Sequence, residues 1–159
     1  MNTAIIYMSK HGTTQKIAEM LKDKLGNETT YLFNLKTTDL TDLGKFDAII
    51  IGGSIHAGSI QSKLKKFMNN NLAVLNKKRI ALFLVCMDKT EKRKTQFENG
   101  FLNVLREISI ANGFMGGEFC FDKMNFIEKA IIKKISGKST NVSEIDYEAI
   151  DEFVNKLSN

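Results

Sequence analysis

Five apolar runs separated by amphipathic stretches restrict the possible folds of this chain more than any other feature. The runs are rich in β-branched residues, and they cover Thr3–Met8, Thr29–Phe33, Phe46–Gly52, Arg79–Cys86 and about Phe114–Phe121. The first, third and fourth runs are almost continuously apolar instead of alternating with polar residues, which is typical of strands covered on both faces. We therefore predict a parallel sheet between two layers of helices.

Four segments between and after these runs repeat apolar residues at the 3.6-residue spacing of a helix. They cover Thr13–Leu25, Gln61–Leu75, Thr90–Asn112 and Ser143–Leu157. The last one opens with Ser143-Glu144-Ile145-Asp146, a pattern expected at the start of a helix. Strands that alternate with helices are joined by right-handed crossovers, and five of them fit a doubly wound α/β sheet with strand order 2-1-3-4-5. We expect residues 1–159 to form one such domain.

A chain of 159 residues that is 43% hydrophobic and 26% charged has the composition of a globular domain, not of a disordered segment. It contains no apolar run of about 18 residues and no basic leader before an apolar segment, so we expect a cytoplasmic location. The formal net charge of +5 favours anionic partners. Because the basic residues are not interleaved with aromatic ones, we expect no nucleic-acid binding.

Cys86 and Cys120 are the two cysteines, and they lie outside any C-x-x-C motif or histidine cluster. We therefore predict inert, reduced thiols and no metal site, with a redox pair as the less favoured alternative.

The loop after the first strand, Ser9-Lys10-His11-Gly12-Thr13-Thr14, leads directly into a predicted helix. A hydroxyl-rich turn with a glycine at a helix N-terminus offers hydrogen-bond donors and a positive dipole end to one phosphate group. The loop matches neither G-x-x-x-x-G-K-[ST] nor G-x-G-x-x-G, so a monophosphate is predicted instead of a triphosphate or a dinucleotide. The alternative is that Ser9 and Thr13 or Thr14 only cap the helix.

The segment from Tyr7 to Ala18 resembles the FMN-phosphate loop of flavodoxins, S/T-x-T-G-x-T followed by a polar residue and an apolar helix. It departs from that pattern at His11, where flavodoxins usually carry threonine. Here a polar residue other than threonine, His11, precedes the glycine, and the basic residue Lys10 precedes His11. This pattern is more similar to that of the menaquinone-dependent protoporphyrinogen oxidase branch of the fold. The resemblance implies a flavodoxin-like fold with FMN as cofactor. It also implies cofactor binding by Ser9, Lys10, His11, Gly12, Thr13 and Thr14.

The third strand leads into Gly52-Gly53-Ser54-Ile55-His56-Ala57-Gly58, whose glycines allow close approach to a flat ligand. The stretch I-G-G-S-I-H-A-G is similar to the second flavin loop of the oxidase branch, G-x-S-I-x-x-G. The resemblance implies flavin contacts by Ser54, Ile55, His56, Ala57 and Gly58. His56 would lie against the ring or donate to it. The alternatives are that His56 is an exposed loop residue without contacts and that His11 acts only near the helix cap.

Cys86-Met87-Asp88-Lys89 follows the fourth strand, in the position where flavodoxins place a tyrosine against the flavin. This loop has no tyrosine, and the chain has no tryptophan. The resemblance implies that these four residues contact the flavin and that its less covered face admits a substrate or a quinone. The basic run from Lys89 to Lys94 also resembles the oxidase branch, although the residues alone favour a solvated first turn of a helix.

Residues 123–138 form a predicted amphipathic insert before the last helix, and the insert holds five lysines and one acid, Glu128. One face carries the apolar residues Met124, Ile127, Ile131, Ile132 and Ile135. Basic flanks on an apolar stripe suit an anionic membrane surface. Packing on the sheet edge or in a homodimer is the alternative, and Glu128 within the apolar arc favours it. The oxidase branch carries a similar long insert, associated there with substrate and with the quinone side of the membrane.

The resemblance implies an FMN-dependent oxidoreductase similar to menaquinone-dependent protoporphyrinogen IX dehydrogenase, which passes electrons from a reduced substrate through FMN to quinone. Apart from His56, no side chain is a candidate for catalysis, because FMN itself carries the redox chemistry. Lys10, Lys89 and the insert would raise the flavin potential by favouring its anionic reduced form. The alternative is a flavodoxin-type electron carrier with protein redox partners. A receiver domain is disfavoured because the third strand offers no aspartate for phosphorylation.

Overall fold

A computed structural model describes residues 1–40, 42–56 and 58–158. Its strands are β1 (Thr3–Tyr7), β2 (Thr30–Asn34), β3 (Ala48–Ser54), β4 (Arg79–Val85), β5 (Ser109–Phe114), β6 (Gly116–Phe119) and β7 (Val142–Ile145). Its helices are α1 (Thr13–Leu25), α2 (Ser62–Asn70), α3 (Leu72–Leu75), α4 (Lys92–Gly100), α5 (Asn103–Ile108), α6 (Phe126–Ser136) and α7 (Tyr147–Ser158). A short 3₁₀ turn, Phe121–Lys123, precedes α6.

The main sheet has five parallel strands in the order β2-β1-β3-β4-β5, which confirms the predicted order. At its carboxyl edge, Tyr7 of β1 pairs with Gly52 of β3 and with Asn34 of β2. Ser54, at the end of β3, pairs with Val85 at the end of β4. The loops after these strands therefore leave the sheet side by side, where ligands of doubly wound folds bind.

The sheet is covered on both faces, as its continuously apolar strands predict. Ile5 of β1 belongs to a buried cluster that includes residues of α1 and α7. Its neighbour Ile6 belongs to the opposite cluster, which includes residues of α2, α4 and α5. Successive side chains of a strand point to opposite faces, so one strand supplies both core layers.

The fifth strand differs from the prediction. We predicted a strand at about Phe114–Phe121 and a helix over Thr90–Asn112, but the chain forms α4 and α5 and then enters β5 at Ser109. Every second residue in the middle of β5 is exposed, because this strand lies at the edge of the sheet. Its sequence therefore lacks the continuous apolar run by which the central strands were recognised. The predicted helix Gln61–Leu75 is similarly divided into α2 and α3 at Asn71.

β6 and β7 form a separate antiparallel pair. β6 lies within the strand that we predicted at about Phe114–Phe121, whereas β7 and its pairing with β6 were not predicted. β7 occupies the first turn of the predicted helix Ser143–Leu157, so α7 begins only at Tyr147. The side chain of Asp146 accepts a hydrogen bond from the Ala149 N–H and caps α7. Gly116 has a φ of +66°, and an added Cβ would lie 1.9 Å from the Glu144 carbonyl oxygen, so glycine is required there.

The insert connects β6 to β7 and contains α6, in agreement with the predicted helix. A capping box defines its start, in which Asn125 and Glu128 exchange side chain to backbone hydrogen bonds. The helix ends at Ser136, and Gly137 caps it with a φ of +69°. In the described part of the chain, no helix is both long and apolar enough to cross a bilayer.

Candidate functional site

The N-terminus of α1 points into the loop after β1 without a side-chain cap. Gly12 precedes the helix with a φ of +103°, a conformation that suits glycine. Ser9 and Thr14 are 5% and 2% exposed, and the Ser9 hydroxyl accepts a hydrogen bond of 3.1 Å from the Gly12 N–H. First-turn N–H groups that lack side-chain acceptors, beside buried hydroxyls, form a typical anion site.

Thr13 differs from its neighbours in this loop because its hydroxyl faces β6. It donates to a Glu118 carboxylate oxygen at 3.4 Å. Glu118 also accepts hydrogen bonds of 2.8 Å from Lys16 and from Ser143. Burial raises the pKa of Glu118, but the hydrogen bonds and the charge of Lys16 lower it by more, so the residue stays ionised. Glu118 was not predicted as part of the site, and it joins α1 to the β6–β7 pair.

Lys10 and His11 contact the first turn of α6. The Lys10 ammonium forms an ion pair with Glu128, and His11 Nε2 lies 3.4 Å from the same carboxylate oxygen. The hydrogen bond from Lys10, helped by the backbone of Asn125, lowers the pKa of Glu128 to about 2. No residue of α6 is buried, and this contact joins the helix to the loop after β1.

The Lys10–Glu128 contact should weaken in acid. A carboxylate with a lowered folded pKa stabilises the contact fully above its ordinary pKa of 4.5, and this contribution disappears as the pH falls towards about 2. We expect hydrogen-exchange protection of α6, corrected for intrinsic rates, to fall roughly fivefold between pH 6 and pH 2.5, since a partly exposed ion pair contributes about 1 kcal/mol. Glu128→Gln should show the reduced protection already at pH 6. If the protection of α6 fell with pH in this variant as it does in the wild type, ionisation of Glu128 would not be its cause.

The loop after β3 forms a tight turn in which His56 and Ser59 exchange backbone hydrogen bonds of 2.8 and 3.2 Å. Gly58 has a φ of +81°, and Ala57 lies outside the described residues. Ile55 is half-buried, and its N–H donates to the Val85 carbonyl at 3.3 Å. The turn is thereby attached to the end of β4.

His56 is held by a short hydrogen-bond chain. Its Nε2 lies 3.0 Å from the Ser54 hydroxyl, which accepts a 2.8 Å hydrogen bond from the side-chain amide of Gln61. The His56 ring centroid is 6.1 Å from that of His11, so the first and second loops meet at this point. Burial and the nearby charges of His11 and Lys10 lower the pKa of His56, which keeps it neutral at pH 7. Gln61 was assigned only to a helix start, because its contacts to Ser54 and Met8 depend on the tertiary structure.

The loop after β4 has its charged groups already paired. The Asp88 carboxylate accepts hydrogen bonds from the backbone and hydroxyl of Thr90, and these bonds lower its pKa. Lys89 pairs with Glu144 of β7 at 2.9 Å. Met87 is half-buried beside Gly117 of β6. Since Lys10 and Lys89 are both paired with carboxylates, their expected effect on the flavin potential is reduced.

The cysteines are both free thiols. Cys86 is buried, and burial raises its pKa to about 11. Cys120 is half-buried, with its sulfur 4.0 Å from the Thr13 hydroxyl. The burial of Cys86 agrees with the favoured prediction of an inert thiol.

A cavity of about 350 Å³ lies beside the first loop and the end of β2. It is lined by residues of the predicted phosphate loop, including Ser9, Lys10 and Gly12. Asn34, Lys36, Thr37 and Lys123 also line it, and none of them was predicted. Their place in the lining could not be predicted from the sequence, because Lys36 and Lys123 are distant from the loop along the chain.

The family model described as a flavodoxin domain matches residues 4–145. Oxidised flavodoxin 1 from Bacillus cereus superposes with a TM-score of 0.56 at 17% identity, over 98% of this chain and 93% of that protein. A flavodoxin from the domain Archaea superposes with a TM-score of 0.51 at 20% identity, over 73% of this chain and 85% of that one.

Rubredoxin oxygen:oxidoreductase from the anaerobe Desulfovibrio gigas superposes with a TM-score of 0.58 at 15% identity. The alignment covers 99% of this chain and 37% of that enzyme, so the chain spans little more than a third of it. No curated protein sequence matches the chain. At such identities, the structural similarity establishes the fold alone.

Proposed function

Because the chain belongs to the flavodoxin domain family, we propose that it binds FMN at the carboxyl edge of its sheet and transfers electrons through this cofactor. The observation that carries the proposal is the uncapped N-terminus of α1, which stands beside the buried hydroxyls of Ser9 and Thr14. These groups fit a phosphate monoester, since they offer several donors and the positive end of a helix dipole. The adjoining glycine-containing turn after β3 fits a flat ring.

The proposed contacts lie in the three loops that leave the sheet side by side. They are Ser9, Lys10, His11, Gly12, Thr13 and Thr14, then Ser54, Ile55, His56, Ala57 and Gly58, and finally Cys86, Met87, Asp88 and Lys89. In this set Thr13 would act through its backbone N–H, because its hydroxyl is bonded to Glu118.

His56 would donate a hydrogen bond to the bound ring. The Gln61 amide donates to Ser54 Oγ, so the Ser54 hydroxyl proton is available for His56 Nε2. This arrangement leaves the proton of the neutral ring on Nδ1, as a donor. When FMN is bound, it supplies the redox chemistry. His56, Ser54 and Gln61 would orient the flavin ring and determine the hydrogen bonds around it.

The finer proposal is a quinone-linked dehydrogenase resembling menaquinone-dependent protoporphyrinogen IX dehydrogenase. The reduced substrate loses two electrons and two protons, and the quinone gains the same number to become a quinol. The ring-side loops support this proposal because they contain no aromatic side chain except histidine. The three tyrosines lie in β1, β2 and α7, and the chain has no tryptophan. Because these loops offer no phenylalanine, tyrosine or tryptophan to stack on the flavin, they leave room for a second flat molecule.

The insert supports contact with an anionic membrane surface, where a lipid-soluble quinone is found. The apolar side chains of Phe126, Ile127 and Ile135 are 86%, 67% and 76% exposed, and packing on the sheet edge does not cover them. Lys129 and Lys133 lie on the same helix. An exposed apolar stripe flanked by cations suits the interface of an anionic bilayer.

Replacing Ile127 and Ile135 together with serine should weaken binding to vesicles of phosphatidylserine and phosphatidylcholine by at least about tenfold. Each isoleucine that enters the interface contributes roughly 1.5–3 kcal/mol when it is fully buried. Vesicle sedimentation measures the binding. Val104→Ser with Ile108→Ser, on the exposed side of α5, is the matched control and should bind as the wild type does. Equal binding by the α6 variant would contradict a role of this face at membranes.

The proposed function is tested by the absorbance spectrum of the purified protein with added FMN, followed by anaerobic photoreduction. We expect a bound-flavin spectrum and rapid reoxidation of the reduced protein by a menaquinone analogue. A protein that binds FMN but does not react with the quinone would instead be an electron carrier with protein partners. Absence of flavin binding would overturn both functions.

A further inference from the structure

Lys123 reaches over the glycine that precedes α1. It ends the 3₁₀ turn after β6, where its N–H donates to the Cys120 carbonyl at 2.9 Å. An added Cβ at Gly12 would lie only 3.2 Å from Lys123 Nζ. The ammonium group of Lys123 therefore lies beside the residue that precedes α1.

This position is electrostatically unfavourable for a cation that has no anion beside it. The N-terminus of a helix carries a partial positive charge, and Lys10 and Lys36 line the same cavity as Lys123. Within the described ranges, neither Lys36 nor Lys123 forms an ion pair. The nearby carboxylate of Glu128 is instead ion-paired with Lys10, and it lies 3.4 Å from His11 Nε2.

The polar lining of the cavity also suits an anion. The Asn34 amide can donate hydrogen bonds into the cavity, and the Gln15 amide keeps one hydrogen beside the bond that it donates to Glu19. The Thr37 hydroxyl donates to the Asn34 carbonyl instead. The volume of about 350 Å³ can contain a phosphate group with part of its ester. Among the residues that the structure describes, no acidic side chain lines it. A positively charged cavity without acidic residues, beside an uncapped helix N-terminus, favours a ligand with more than one negative charge.

We propose that Lys123 and Lys36 bind the phosphate monoester of the flavin cofactor. This inference rests on the proposed function and extends it to residues outside the predicted phosphate loop. Lys10 is balanced by Glu128, so the two remaining lysines match the two negative charges of the phosphate. The insert then has a role in cofactor binding, because its first residue completes the phosphate site.

The consequence is a preference for FMN over riboflavin, which has the same ring and ribityl chain but no phosphate. Wild-type affinity for FMN should decrease with added salt, whereas affinity for riboflavin should change little. A site that held phosphate only through neutral donors would show a weaker dependence on salt.

The test compares the FMN and riboflavin affinities of the wild type, Lys123→Gln, Lys36→Gln and the matched control Lys129→Gln by flavin fluorescence titration. Lys129 belongs to the same insert, and it is exposed. We expect each of the first two variants to lose roughly tenfold in FMN affinity, as expected for a hydrogen bond to a charged group. Riboflavin affinity should be unchanged in all four proteins, and the control should bind FMN as the wild type does.

Two results would overturn this inference alone. One is wild-type FMN affinity in both Lys123→Gln and Lys36→Gln, and the other is an equal loss of FMN and riboflavin affinity, which indicates a general structural effect. A wild-type protein that binds neither flavin would overturn the proposed function as well. Thermal unfolding of each variant verifies folding, which exposed lysine substitutions should leave intact.

Discussion

Replacing Ser9 and Thr14 together with alanine is expected to lower the FMN affinity roughly a hundredfold to ten-thousandfold. Each hydroxyl would bond to a charged phosphate, and such hydrogen bonds contribute about 1.5–3 kcal/mol each. Both residues are buried, at 5% and 2% exposure, at the N-terminus of α1. Their loss also leaves less polar surface around the phosphate, which raises the cost of burying its charge. Fluorescence titration with FMN measures the effect.

Thr13→Ala is the matched control for this variant. Thr13 is in the same turn and also buried, but its hydroxyl donates to Glu118. We expect the control to retain FMN affinity within a few-fold of the wild type. Unchanged affinity in the double variant would remove the phosphate assignment of the loop, whatever the spectrum of the wild type shows. The circular dichroism spectrum of the double variant should match the wild type, because Ser9 loses only its turn hydrogen bond to Gly12.

Gly52→Ala is expected to destabilise the protein by about 3 kcal/mol or to prevent folding, since overpacking of a core usually costs about 1–3 kcal/mol and sometimes more. An added Cβ at Gly52 would lie 1.9, 2.1 and 2.5 Å from three atoms of the Phe83 ring. Phe83 is fully buried in the neighbouring strand β4 and packs edge-on against Phe153 of α7 at 6.3 Å. The ring therefore has no free space into which it can move. Urea unfolding measures the loss.

Phe83→Leu should partly rescue Gly52→Ala, because leucine lacks the ring atoms that collide with the new methyl group. The two substitutions should be strongly non-additive in a double-mutant cycle. Gly44→Ala, in an exposed loop, is the control and should change the free energy of unfolding by less than about 0.5 kcal/mol. Additive losses in the cycle would contradict the proposed collision. Gly52 lies two residues before the end of β3, so its close packing with Phe83 also helps to fix where the second loop leaves the sheet.

The central strands and the sheet order could be predicted because β1, β3 and β4 are buried on both faces, and their sequences are continuously apolar. β5 could not be recognised in the same way, since an edge strand with one buried face lacks that run. β7 and its pairing with β6 could not be predicted for another reason. Each has four residues, and each is stabilised by a partner more than twenty residues away. Short strands carry too little local preference to be distinguished from a loop or a helix start.

The loop after β1, which we predict to bind phosphate, illustrates what the sequence by itself determined. Its hydroxyls, its glycine and the following helix are adjacent in the chain, so their arrangement depends on local backbone geometry. The positions of His56 and the insert helix were predictable for the same reason, because each lies within a continuous motif or a regular apolar period. The family resemblance rests on these local patterns, and it led us to expect FMN and a quinone.

Only the tertiary structure decided which charges are paired and which remain available. Lys10 and Glu128 are separated by 118 positions, yet they form an ion pair, and Gln61 reaches the carbonyl of Met8 across 53 positions. Lys123 stands over Gly12 although the two residues are far apart in the sequence. Such contacts depend on the relative placement of whole elements, which the burial of two core layers establishes. The sequence therefore determines the elements and the local loop, whereas packing determines which distant side chains lie beside that loop.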